Sequence, residues 1–188
     1  TASGKMMLQM LAVFAEFDWT PVGSASIAQV HLATLRSGEQ VVVKVQRPDV
    51  AETVQRDVRA LRELARFVDD RANSSVGSQL ASFVEEFGTN LIEELDFRAE
   101  ATNAADIAAA VAGEDGIRVP DVFGAYTTTR VMVQERVDGL PVGHLDELSG
   151  IDRAEIANRV FRSFFHQAFE AGVFHGDPHP GNIFVRPD

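Results

Sequence analysis

The segment HGDPHPGN, from His175 to Asn182, concentrates side chains that can move protons, hold a metal ion or orient phosphate. Asp177 follows His175 by two positions, and Asn182 lies five positions further on. Phosphoryl transfer needs such spacing, because one carboxylate must face the acceptor while an amide oxygen a turn away holds Mg²⁺ on the phosphates. The segment therefore predicts a phosphotransferase loop, with Asp177 as the catalytic carboxylate and Asn182 as a metal ligand.

Two other interpretations of this loop stay open from its residues alone. His175, Asp177 and His179 stand at alternate positions and could bind zinc or iron, since imidazole and carboxylate suit both metals. The remaining histidines, His31, His144 and His166, are scattered and supply no further pair of ligands. The loop could also be an ordinary tight turn, because it is rich in proline and glycine.

A lysine in an apolar strand is the second chemical feature. Lys44 lies within VVVKV, where an unpaired ammonium group would be costly to bury. In kinases the lysine of such a strand holds the α- and β-phosphates and is itself held by a glutamate of a helix. The alternative is a lysine at a strand edge whose ammonium reaches water.

Small residues precede the lysine strand. Gly23, Ser24, Ala25 and Ser26 lie between two extended segments, where small side chains let backbone N–H groups approach a phosphate. The segment lacks the G-x-x-x-x-G-K-[ST] pattern of a P-loop and the G-x-G-x-x-G pattern of ordinary kinases. A plain turn of small residues is the alternative interpretation.

An acidic segment, EELDFRAEATN, offers a partner for Lys44. If residues 91–103 are helical, Glu93 and Glu100 lie on one side, whereas Glu94 and Asp96 project elsewhere. Such a charge run is usually a solvated face. Here it lies on the helical stretch that is available to Lys44, so one of these carboxylates is the predicted partner.

The elements that must position these residues follow from local patterns. The patterns first predict a helix over 6–17 and then a hairpin that turns at Ser37 and Gly38, with its second strand over 41–45. An amphipathic helix over 49–70 and a helical stretch over 79–112, bent at Gly88, follow. A second hairpin within 117–139 and a helix from Asp152 to Ala171, which stops at Gly172, complete the order. The order indicates a small lobe of sheet and helix followed by a mainly helical lobe.

The overall composition limits the partners. The 188 residues include 45% hydrophobic residues, enough for a core, and carry a net charge of −11. This charge argues against nucleic acid or an anionic membrane surface as the main partner. The chain has no cysteine, which excludes disulfides, and no apolar run of membrane-spanning length. A cytoplasmic location fits these features.

Four segments in order, PVGSASIAQVH, VVVKVQRPDV, EELDFRAEATN and FHGDPHPGN, resemble the ABC1 family of atypical kinases, also called UbiB or AarF-like. The resemblance covers 21–185 and implies an α+β, protein-kinase-like two-lobe fold that is truncated within the C-terminal lobe. Residues 1–140 would form the N-lobe, with the alanine-rich loop, the lysine strand and inserted acidic helices. Residues 141–188 would begin the helical C-lobe.

The resemblance also implies roles for individual residues. It implies that Gly23, Ser24, Ala25 and Ser26 cover the phosphates of ATP, and that Lys44 binds these phosphates with Glu100 as its helix partner. It also implies that Glu94 and Asp96 form an inhibitory acidic pair, and that Glu135 and Val137, in a hinge over 134–137, contact adenine. Asp177 would be catalytic, and Asn182 would bind Mg²⁺. The family's N-terminal lysine-glycine-glutamine helix and its Asp-Phe-Gly segment are not seen in this sequence, so both ends are expected to be truncated.

The family's members are tied to ubiquinone and other isoprenoid lipid metabolism, often at a membrane. The resemblance therefore implies a lipid or quinone-pathway partner and a peripheral position at a membrane in the full-length protein. A non-catalytic, nucleotide-sensing pseudokinase remains an alternative. So does a small-molecule phosphotransferase of the aminoglycoside or choline kinase type, which shares the H-G-D-x-H-x-x-N loop.

Overall fold

The computed structural model describes residues 12–24, 27–72, 75–147, 150–176 and 178–186. Within these ranges it contains the strands β1 (Phe14–Phe17), β2 (Gly23–Ser24), β3 (Ala28–Leu35), β4 (Gln40–Gln46), β5 (Val131–Glu135), β6 (Leu140–Pro141) and β7 (Phe184–Val185), and the α-helices α1 (Val50–Ala72), α2 (Ser75–Glu93), α3 (Phe97–Ala110) and α4 (Arg153–His166).

The main sheet has the antiparallel order β1-β3-β4-β5, and the short strand β2 also pairs with β3. The predicted hairpin of β3 and β4 is confirmed, with Thr34 opposite Gln40 and Ala28 opposite Gln46. Gly38 in its turn has a φ of 103°, a backbone conformation that glycine adopts at no steric cost.

Alternation along β4 gives the sheet two different faces. Val41 and Val43 are fully buried in a cluster with Phe14, Leu35 and their neighbours. Lys44 and Gln46 point to the opposite face, where α3 packs through Phe97 against Ala28 and Met132. This second face carries the charged and polar groups considered below.

The helix predicted over 6–17 is wrong over Phe14–Phe17, which form β1 at the edge of the sheet. Residues 6–11 of that prediction lie outside the described residues. The apolar spacing there suits a helix locally, but the backbone groups of this stretch pair with β3 from Leu35 to Ala33. Tertiary pairing therefore decides the local structure.

The amphipathic helix predicted over 49–70 is confirmed as α1, but the long helical stretch after it is interrupted elsewhere than predicted. The interruption lies between α2 and α3 rather than at Gly88. Asp96 caps α3, because its side chain accepts a hydrogen bond from the backbone N–H of Arg98. Gly88 instead lies inside α2 where α1 crosses closely, since a Cβ there would be 2.7 Å from the Val58 side chain.

The second hairpin predicted within 117–139 is confirmed in part, because Val122 forms an antiparallel bridge with Gln134 and the Phe123 N–H donates to the Val133 carbonyl at 2.8 Å. It is not a separate unit, however. β5 joins the main sheet beside β4, whereas β6 pairs with β7 in a separate two-stranded sheet. Gly139 stands beside this small sheet, and a Cβ there would come within 2.8 Å of the Val185 carbonyl oxygen. The small sheet therefore ties the segment after β5 to the segment that follows the HGDPHPGN loop.

The last predicted helix is confirmed. Asp152 caps α4 through the backbone N–H groups of Ala154 and Glu155, and the helix continues as a π-helical turn over Gln167–Ala171. Gly172 ends it with a φ of 70°. The predicted loop begins directly afterwards, so α4 delivers the chain to that loop.

Candidate functional site

Lys44 lies at the centre of the polar face of the sheet. In the sheet it is opposite Val30 of β3 and Met132 of β5. Met132 is buried and Val30 is half-buried. The lysine thus has apolar side chains on both neighbouring strands, and these surroundings favour a charged partner for its ammonium group.

The partner of Lys44 is Glu100, in the first turn of α3. The ammonium Nζ donates a hydrogen bond to Glu100 Oε1. The two side chains are 30% and 43% exposed. The pair is therefore formed on a surface that solvent and a ligand can reach, and the predicted contact between the two residues is present.

The acidic residues just before α3 have different surroundings from Glu100. Asp96 caps the helix and also receives bonds from the Arg98 guanidinium, at 3.0 and 2.6 Å. These side-chain bonds, together with the backbone N–H of Arg98, hold the pKa of the Asp96 carboxyl below its usual value. Glu94 lies in the turn between α2 and α3 and is exposed. The structure thus gives Asp96 a capping role, and the inhibitory role of the two residues stays a prediction.

The small-residue loop, residues 23–26, is attached on both sides to Arg47, which follows β4. The Arg47 guanidinium donates to the hydroxyl of Ser24. Its backbone N–H donates to the carbonyl of Ile27 at 2.9 Å. Gly23, at the start of the loop, belongs to β2 and pairs with Val30 of β3. Ala25 and Ser26 lie outside the described residues.

The predicted adenine hinge follows β5. The Glu135 carboxylate accepts bonds from Arg118 Nη2 at 2.5 Å and from the backbone N–H of Asp121 at 3.2 Å. Its side chain is thus engaged by the 118–121 segment, and its backbone N–H also donates to the Asp121 carbonyl at 2.8 Å, so a base would be contacted through other backbone groups of the hinge. Val137 comes two residues later and is half-buried.

The HGDPHPGN loop is held at its start by a hydrogen bond to α4's continuation, and two further hydrogen bonds form within the loop. The buried side chain of Gln167 accepts from the backbone N–H of His175 at 3.2 Å and donates to the hydroxyl of Ser163 at 3.1 Å. Later in the loop, His179 Nδ1 accepts from the N–H of Gly181 at 3.0 Å. Asn182 has an exposed side chain, and its backbone N–H bonds the His179 carbonyl at 2.8 Å.

Asp177, the predicted catalytic carboxylate, lies outside the described residues. Among the residues that are described, no group of three or more histidine, aspartate or glutamate side chains could hold a metal ion. In the same ranges, no helix is both long and apolar enough to cross a membrane.

Three supporting residues, Gln46, Arg47 and Gln167, were missed from the sequence. Polar residues at a strand end or within a helix usually face water, so nothing in their local pattern indicated burial or a loop contact.

A compositional signal did exist for Lys44. Of the chain's 17 basic side chains only Lys5 and Lys44 are lysines, and the rest are arginines. A compact ammonium at residue 44 thus stands out in a chain that otherwise uses guanidinium groups.

Comparison with known proteins identifies the family of this chain. The ABC1 atypical kinase-like domain matches residues 4–188. A protein from Cellvibrio japonicus named "Probable protein kinase UbiB" is 39% identical over 175 residues, covering 92% of this chain and 32% of that protein. A relative of the same name from Xylella fastidiosa is 38% identical over 190 residues, covering all of this chain and 34% of that protein. The chain thus spans about a third of the length of these relatives.

A solved structure shares the fold. Rv3197 from Mycobacterium tuberculosis, determined in complex with erythromycin, superposes with a TM-score of 0.76 and 32% sequence identity. The match covers 93% of this chain and 44% of that one. The α+β, kinase-like fold is therefore shown, and the chain belongs to the ABC1 family of atypical kinase-like domains.

Proposed function

We propose that this chain forms the ATP-binding site of an Mg²⁺-dependent atypical kinase or ATPase. The observation that carries the proposal is the ion pair between Lys44 and Glu100, formed on the sheet face beside the small-residue loop. A lysine held by a helix glutamate is the arrangement with which kinases bind the α- and β-phosphates. The names of the curated relatives support the kinase class.

The residues of this face fit a nucleotide. The Lys44 ammonium is partly exposed, so it can share its hydrogen bonds between Glu100 and phosphate oxygens. The backbone of the loop over 23–26 would cover those phosphates, with the Arg47 guanidinium holding the loop by the Ser24 hydroxyl. Backbone groups of Glu135 and Val137 would meet the adenine edge.

The HGDPHPGN loop would supply the remaining groups. Asp177 would accept the proton of the attacking hydroxyl or water, and the amide oxygen of Asn182 would bind Mg²⁺. When bound, the metal ion would neutralise negative charge on the phosphates. Gln167 would keep the start of the loop in place through its bond to His175.

We further propose that the full-length protein acts in isoprenoid quinone or lipid metabolism, at the surface of a membrane. This proposal rests on the family alone. ATPase activity and phosphoryl transfer to a small acceptor are both compatible with the site, because the described residues do not define an acceptor pocket.

Phosphate release from ATP by the full-length protein tests the proposal, in the presence of Mg²⁺. Asp177→Asn is expected to lower turnover by roughly 100-fold or more, because it removes a charge that acts in the transition state. Asp70→Asn, a change at an exposed residue near the end of α1, is the matched control and should leave turnover unchanged.

Two results would argue against catalysis. Undiminished turnover in the Asp177→Asn protein would show that this carboxylate is not catalytic. A thermal shift with ATP but no phosphate release would instead favour a nucleotide sensor, since a ligand at 100 times its Kd stabilises by about 2.7 kcal/mol.

A further inference from the structure

Gln46 is a buried polar residue on the same sheet face as Lys44. It lies two positions after the lysine in β4 and is 8% exposed. Its side-chain Nε2 donates a hydrogen bond to the backbone carbonyl of Leu95 at 3.0 Å. Its backbone N–H bonds the carbonyl of Arg130 at 2.9 Å, so the residue joins β4 to two other segments.

The Leu95 carbonyl lies immediately before α3, which carries Glu100. Leu95 precedes the capping residue Asp96, and the next residue, Phe97, begins the helix. Phe97 is 2% exposed, and its backbone N–H bonds the Thr129 carbonyl at 3.2 Å. The start of α3 is therefore fixed to the sheet by a buried side-chain bond, a backbone bond and an apolar contact.

The two side-chain links from β4 to α3 differ in physical character. The link between Lys44 and Glu100 is charged and partly exposed, so salt weakens it and a phosphate would compete for the ammonium. The link from Gln46 to Leu95 is neutral and buried, so neither effect reaches it. When Lys44 turns toward a phosphate, the Gln46 link still holds the helix.

We infer that Gln46 is a positioning residue that keeps α3 against the lysine strand, so that Glu100 faces Lys44 before and after nucleotide binds. This inference rests on the proposed function for its consequence, which concerns regulation. A helix anchored in this way does not swing away from the lysine, so α3 is a fixed part of the site rather than a switch.

Hydrogen–deuterium exchange tests the anchoring itself, without nucleotide. Gln46→Met removes the donor and keeps an unbranched side chain of similar length. The amides at the start of α3 are expected to exchange roughly tenfold faster, because one buried hydrogen bond is lost. Gln55→Met is the matched control, since Gln55 is an exposed glutamine of α1. Equal exchange in the Gln46→Met protein and the unaltered chain would overturn the inference.

A double-mutant cycle on ATP affinity then separates positioning from general stability. Gln46→Met is expected to weaken ATP binding severalfold when Glu100 is present, and not to weaken it further in the Glu100→Gln background. The same fold loss in both backgrounds would show that Gln46 does not act through Glu100, and would overturn its positioning role. If Gln46→Met prevents folding, Gln46→Asn, whose amide is too short to reach Leu95, takes its place in both measurements.

The cycle also keeps the two proposals distinguishable. Absence of ATP binding by the unaltered full-length protein would refute the proposed function and the consequence for regulation. The exchange rates at the start of α3 would still decide whether Gln46 anchors that helix.

Discussion

Replacing Lys44 by methionine separates a functional lysine from a structural one. The side chains of Lys44 and Glu100 are 30% and 43% exposed, so water screens their attraction. Exposed pairs of this kind contribute about 0–1 kcal/mol to stability. For a domain of this size, 1 kcal/mol corresponds to about 2–4 °C in Tm. Lys44→Met should therefore lower the Tm by no more than about 4 °C.

The same substitution should have a much larger effect on nucleotide binding. A hydrogen bond to a charged group contributes about 1.5–3 kcal/mol, and this is the term that Lys44 would provide to a phosphate. The Kd for ATP is thus expected to rise by roughly 10- to 150-fold, because each 1.4 kcal/mol is a factor of ten. Isothermal titration calorimetry measures the Kd, and differential scanning calorimetry measures the Tm.

The control for Lys44→Met is a second exposed ion pair in a different part of the chain. Arg159 Nε bonds Glu155 Oε1 at 2.9 Å within α4, where the side chains are 44% and 54% exposed. Arg159→Met should cause a similarly small change in Tm and no change in ATP affinity. A Lys44→Met protein that loses far more than 4 °C but binds ATP normally would show that Lys44 is a structural residue and not a phosphate ligand.

Three further substitutions test the packing that positions the site. Phe97→Ala removes a buried ring from the start of α3 and should lower the free energy of unfolding by about 3–5 kcal/mol in urea denaturation; a loss below 1 kcal/mol would contradict this. Gly88→Ala gains about 1 kcal/mol of helix propensity. Its Cβ would overpack against Val58 at a cost of about 1–3 kcal/mol, so the protein should be less stable. Adding Val58→Ala should relieve this clash. Asp96→Ala should destabilise α3 at neutral pH but not in acid. The bonds from Arg98 lower the pKa of the Asp96 carboxyl, so the stability that this carboxylate contributes is lost as the pH falls through that pKa. An equal loss of Tm at both pH values would disprove this prediction.

The elements that the sequence predicted well are those with a strong local signal. Gly38 marks the turn of the hairpin, and Asp152 and Gly172 mark the two ends of the last helix. The order of VVVKV, the acidic segment and the HGDPHPGN loop limited the partner of Lys44 to a carboxylate of the acidic segment. The resemblance to the ABC1 family then implied Glu100 among these carboxylates.

The errors in the fold arose where distant segments decide the structure. Phe14–Phe17 read as part of a helix, yet the free edge of β3 recruits them into the sheet. Gly88 read as a bend, although it serves the close crossing of α1. β5 read as half of a hairpin, and one bridge of that hairpin is present between Val122 and Gln134, but the strand pairs over its whole length with β4, more than 80 residues earlier in the chain. None of these partners can be identified from a local pattern.

The supporting residues of the site escaped for a related reason. Gln46 and Gln167 look like ordinary polar residues until their buried backbone partners, Leu95 and His175, are known. A side-chain bond to a backbone group leaves no complementary residue type in the sequence. Such contacts become visible only when the fold brings the two segments together.

Protection of Lys44 from an amine-reactive reagent tests directly whether this ammonium group binds the phosphates of ATP. Because Lys5 and Lys44 are the only lysines, peptide mass spectrometry can follow each amine separately, with Lys5 as the reference. We expect Mg²⁺ and ATP to slow the modification of Lys44 at concentrations that saturate binding, whereas adenosine, which has no phosphates, should give little protection. Modification of Lys44 at the same rate with and without ATP would show that Lys44 does not bind the nucleotide.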